Sequence, residues 1–158
     1  MNSKKIKTIV IVTVIGLALI IAGSAAAKAN DTRFECGPTG GYTTTAPGAW
    51  SYPGGNIHIR GMQQVGRVDC PDSRQVGYNY ITINANWDEN YTGPMWGTFE
   101  FISDEGGSWT GTWNGQMTEN GSWYNAYGKG QGLYAGMKLW VDKVYDSTSV
   151  RILDPHGE

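Results

Sequence analysis

The chain has 158 residues, enough for one ordinary domain and too short for two of typical size. Behind a 29-residue leader only 18 Leu, Ile, Val and Phe remain, yet all 7 Trp and 9 Tyr lie there; this disfavours a Leu/Ala-rich helical bundle and favours a β-core filled by aromatic rings. The formal charge of −2 becomes −6 when the four leader lysines are removed, and with no Lys/Arg cluster to offset it, nucleic acid and anionic membrane surfaces are poor partners.

Lys4, Lys5 and Lys7 precede an apolar run from Ile9 to Ala22, and Ala27-Lys28-Ala29 forms an A-x-A-like site before Asn30. This is the order of a secretory signal. Residues 1–29 are therefore expected to form a signal helix cleaved after Ala29, giving a secreted or periplasmic protein. The alternative is an anchor retained through residues 8–27, the one segment through which membrane contact is expected. The two cysteines, Cys36 and Cys70, both follow the leader and are expected to form a disulfide in an oxidising compartment. Residues 30–56 read as an irregular N-terminal arm, because 37–56 hold three Pro and six Gly without periodicity.

From residue 57 to 153 short alternating segments recur between turn signals. The first starts with Ile57 and Ile59 opposite His58 and Arg60, and continues toward Val68 through a bulge at Gly66. The second sets Ile81, Ile83, Ala85 and Trp87 on one face, and the third sets Phe99 and Phe101 opposite Trp96 and Glu100. Residues 108–117 then alternate strictly, with Trp109, Gly111, Trp113, Gly115 and Met117 on one face. Such large-small alternation suits a tight interior in which glycines make room for indoles. Glu119-Asn120-Gly121 predicts a type I′ hairpin turn. The returning strand carries Trp123, Asn125, Tyr127 and Lys129 on one side, Met137, Leu139 and Val141 share a face on the next, and a last strand spans Ser149 to Leu153 before a polar tail, 154–158. Seven or eight strands joined by hairpins predict an all-β, antiparallel up-and-down β-barrel, since closure removes aggregation-prone edges.

The Trp/Gly strand from Gly107 to Gly115 and the stretch Gly128-Lys129-Gly130 … Tyr134-Ala135-Gly136-Met137-Lys138-Leu139 resemble the calycin-like barrels grouped around allene oxide cyclase and related bacterial exported proteins. The resemblance covers under half of the chain after the leader. It implies the barrel fold and carries no cyclase catalytic residue onto this sequence.

Chemistry is sparse. The glycines of 128–136 are followed by strand alternation rather than a helix, so they are a bulged connection and not a phosphate loop. Neither a nucleophile elbow nor a zinc motif is present, so no catalytic residue, metal or cofactor is assigned. The aromatic surplus supplies the one candidate site. Trp109 and Trp113 share a face, Trp123 and Tyr127 share another, and with Asn125 as an orienting group they are expected to wall a cavity for a small apolar or amphipathic ligand. A pocket of about 300 Å³ or more is the size that separates such a binder from a packed barrel. The non-enzymatic binder is the leading expectation. A barrel enzyme of isomerase or cyclase type is one alternative. Another is an envelope-associated interaction module using Trp96, Tyr134 and Trp140 on its outer face, which could also seat a homo-oligomer.

Overall fold

The computed structural model of the protein describes residues 29–37 and 40–157; the expected signal segment lies almost wholly outside them. Among the described residues ten strands form one antiparallel sheet: β1 (Asn30–Cys36), β2 (Tyr42–Ala46), β3 (Ala49–Ser51), β4 (Ile57–Asp69), β5 (Val76–Trp87), β6 (Gly93–Ser103), β7 (Ser108–Thr118), β8 (Gly121–Gln131), β9 (Lys138–Val144) and β10 (Ser147–Asp154). Their spatial order is β1-β10-β9-β8-β7-β6-β5-β4-β2, with β3 also on β4. From β4 onward each strand pairs with the next in sequence, the up-and-down order that the hairpin signals predict.

Two expectations are corrected. The segment read as an irregular arm supplies three strands, because its Thr-rich and aromatic stretches extend along the edges of β4 and β10 despite the surrounding Pro and Gly. The sheet is also not closed into a barrel. Its margins, β1 and β2, are not paired with each other. β2 has only five residues and shifts register between Thr44 and Ala46, so it offers β1 no continuous edge for a hydrogen-bond ladder. The Cys36–Cys70 disulfide spans this seam instead, joining the end of β1 to the residue after β4 with their Cα atoms 4.8 Å apart. Charged Asp31, Arg33 and Glu35 along β1 suit an unpaired edge.

The sheet rolls around a single core in which Trp109, Ile59, Leu139 and Ile152 are fully buried together with Phe101 and Val150. In β4 the bulge lies between Ile59 and Met62, not at Gly66, and Gly61 takes the positive φ of 69° that a side chain would resist. The extra residue switches the phase of the strand, so Ile57 and Ile59 before it and Val68 and Cys70 after it all face inward. Gly66 instead makes room for a ring. Tyr42 of β2 lies across it, and a Cβ there would come within 2.9 Å of the phenol ring. The β7–β8 turn also differs from the type I′ reading, since the positive φ falls on Gly121, at 119°, and not on Asn120.

Candidate functional site

β7 puts Trp109, Trp113 and Met117 inside, as its alternation requires. The cross-strand register then decides the rest. Trp113 pairs with Ala126, whereas Trp123, Asn125 and Tyr127 pair with Gln116, Asn114 and Thr112. The expected quartet is therefore split. Trp109 and Trp113 are buried, and Trp123, Asn125 and Tyr127 lie exposed on the opposite face of the sheet. A strand has two faces at period two, and no feature of β8 alone says which set points inward. The inner set is Tyr124, Ala126 and Gly128.

Among the outer aromatics Tyr127, Trp140 and Trp96 have specific neighbours, whereas exposed Trp123 has no aromatic or cationic partner among the described residues. Tyr127 meets Trp140 edge-on at 5.4 Å, and the Arg151 guanidinium lies 5.1 Å from the Trp140 ring while pairing with Asp31 at 2.9 Å. Arg60 covers Trp96 at 5.2 Å. Asn125 donates to the Asp142 carboxylate. Tyr134 is not on the outer face at all: it is buried and stacks on Trp109 at 5.0 Å.

Inside, the interior is closed at one end and open at the other. At the closed end the Trp109 indole donates to the Arg74 carbonyl at 3.1 Å, and the Tyr134 hydroxyl is shared between Ser103 at 2.9 Å and Glu105 at 3.1 Å. Arg74 is fixed by Asp72 at 2.6 Å, an ion pair that holds the Asp72 carboxyl below its usual range. Buried Gln75 follows directly and forms the floor of a cavity of about 250 Å³. Met95, Phe99, Phe101, Trp113, Leu139 and Val150 are among its apolar walls, the disulfide lies along it, and half-buried Tyr42, Met117, Ser122 and Lys143 mark its rim. Trp109 is too deep to line it. Of the five residues read as a site, Trp113 alone does.

The volume falls short of the roughly 300 Å³ expected from the sequence as the mark of a binder, which counts against a drug-sized ligand and leaves room only for a smaller occupant. At about 30 Å³ per water-sized group, it holds on the order of eight such groups. The space exists because glycines and rings are arranged unevenly. Phe99 lies over the cross-strand pair Gly111 and Gly128, where added Cβ atoms would meet its ring at 2.7 and 2.8 Å, so this ring is drawn down onto the sheet. Gly111 and Gly128 thus make room for a phenyl ring from β6, whereas it is Gly97 of β6 that makes room for an indole, an added Cβ there lying 2.9 Å from Trp113 Nε1.

Two polar side chains of the lining are paired with each other. Asn79 of β5 donates to the Tyr42 hydroxyl at 2.9 Å, while its own Oδ1 is buried without a hydrogen-bond partner, as is the Trp113 indole nitrogen. Burial raises the Tyr42 phenol above its ordinary value, with Asn79 acting in the other direction. Burial also pushes Tyr124 well up, and nearby Tyr42 adds to the shift. Both phenols therefore stay protonated at neutral pH and act as hydrogen-bonding groups. Sequence reasoning missed Tyr42, Asn79, Tyr124 and Lys143. The alternation of β9 extended two residues beyond Val141 reaches Lys143, and that was the available signal.

Among the described residues no cluster of His, Cys, Asp and Glu is arranged to hold a metal ion, and no helix is long and apolar enough to cross a membrane. The disulfide marks an oxidising, extracytoplasmic environment for the folded domain. Comparison with known proteins finds no matching family model, no similar curated protein and no similar solved structure.

Proposed function

We propose that this is an exported, non-enzymatic binding protein whose rolled sheet encloses a small apolar or amphipathic molecule. The observation that carries the reading is the apolar cavity between Phe99, Trp113 and Val150 in a chain otherwise rich in rings large enough to fill it. Leaving such a volume unfilled forfeits packing worth on the order of several kcal/mol, which a bound molecule restores. Among the described residues the lining contains neither a carboxylate nor an imidazole, and its two phenols are shifted away from neutral pH, the wrong direction for general acid-base work. This favours a binder over the isomerase or cyclase alternative. The allene oxide cyclase resemblance enters only as an expectation about fold.

Cleavage after Ala29 belongs to the same proposal. It would leave Asn30, the first residue of β1, as the new terminus, opposite Asp154 of β10. N-terminal sequencing of the protein from its host should begin at Asn30; a chain beginning at Met1 would support the anchor instead. Native mass spectrometry of that material tests the binding itself. A small added mass that is lost on denaturation is expected, and a protein that carries none and takes up no small aromatic probe would end the reading.

A further inference from the structure

Among the described residues one charged side chain lines the cavity, Lys143. Strand alternation puts it there: Leu139 and Val141 precede it on the inner face of β9, and its cross-strand partners are Tyr124 of β8 and Thr148 of β10, both of which also line the cavity. Its ammonium lies 5.9 Å from the centre of the Tyr124 ring, within cation–π range. None of the ion pairs among the described residues involves it. The other cations of the domain are placed differently. Arg33, Arg67, Arg74 and Arg151 each hold a carboxylate, Arg60 holds the Asn86 side chain and the Ala85 carbonyl, and Lys129 and Lys138 are exposed on strand positions outside the cavity lining. A lysine facing an apolar cavity, with an aromatic face on one side and no ion-pair partner among the described residues, is an electrostatic complement for an anion.

Resting on the reading that the cavity encloses a ligand, we propose that this ligand is a small organic monoanion: a compact apolar body against Phe99 and Trp113, with one carboxylate directed to Lys143. The cavity's size sets the upper limit, a body of about one aromatic ring. The net negative charge of the domain sharpens the point, because long-range electrostatics disfavour an anion and only a local cation at the rim of the site can select it.

The test uses three molecules of one shape and different charge, namely benzoate, benzamide and benzamidinium, titrated at pH 7 into the disulfide-intact protein after any co-purified small molecule has been removed, as checked by native mass spectrometry. The Trp113 indole resonance reports occupancy. Benzoate should bind at least about tenfold tighter than benzamide, with benzamidinium weakest. Lys143→Met should bring benzoate down to the benzamide level, and Lys143→Arg should keep the preference. Equal binding of benzoate and benzamide, or a preference that survives in Lys143→Met, would overturn the anion assignment and leave the cavity as a neutral apolar site. If none of the three moves the Trp113 resonance, the enclosure reading itself fails and the assignment falls with it.

Discussion

Tyr42 and Tyr124 come from distant parts of the chain, one on β2 and the other on β8, yet each phenol feels the same apolar surroundings. The direction of their shifts has a consequence for stability. Both folded values lie above the ordinary 10.0, so the protonated phenol is the form the fold favours. Their contribution is complete below about pH 10 and is lost as pH rises through the raised values, because unfolding releases them to ionise. The urea midpoint should therefore fall above about pH 10. In Tyr124→Phe the fall should be shallower, and an identical slope in both proteins would show that Tyr124 is not held in an apolar site. Acid works through a different group. Asp72, held down by Arg74, stabilises the closed end above its ordinary value of 3.8, and this is lost as pH falls through its lowered value.

Among the elements, β7 and β8 decide what the interior contains. β7 was legible from sequence, since five alternating Trp, Gly and Met positions admit one inner face. β8 was not. Its two faces, Trp123-Asn125-Tyr127 and Tyr124-Ala126-Gly128, both carry aromatic residues, and the choice follows from pairing to β7. Equilibrium unfolding separates the faces. Trp113→Ala removes a buried indole and should cost about 3 to 5 kcal/mol. Trp123→Ala, at a residue that is 37% exposed, should cost under about 1 kcal/mol. Similar losses for both would contradict the register. β4 shows the same limit on a smaller scale: Gly61 and Gly66 look alike in sequence, and one makes a bulge while the other admits the Tyr42 ring. A residue that lacks a side chain does not record which need it serves.

For the whole molecule the disulfide replaces the missing hydrogen-bond ladder. It closes a span of 34 residues, for which chain entropy gives about 3 to 4 kcal/mol. β1 is held by β10 along one side only. Reduction should therefore lower the stability by about that amount, and hydrogen exchange should show β1 losing protection before β5 to β8 do. Uniform loss of protection across all strands would mean that the seam is held by something other than this bond.

The all-β class, the antiparallel order from β4 to β10, the pairing of Cys36 with Cys70 and the inner face of β7 were determined by the sequence itself. Each is set by local alternation, by hairpin spacing or by there being only two cysteines. The open seam, the strands within residues 30–56 and the split of the aromatic quartet were decided only by tertiary structure. They depend on which residues meet across strands that lie far apart in the chain. The same holds for Lys143: its charge is written in the sequence, but the apolar walls that face it come mostly from strands far from it in the chain.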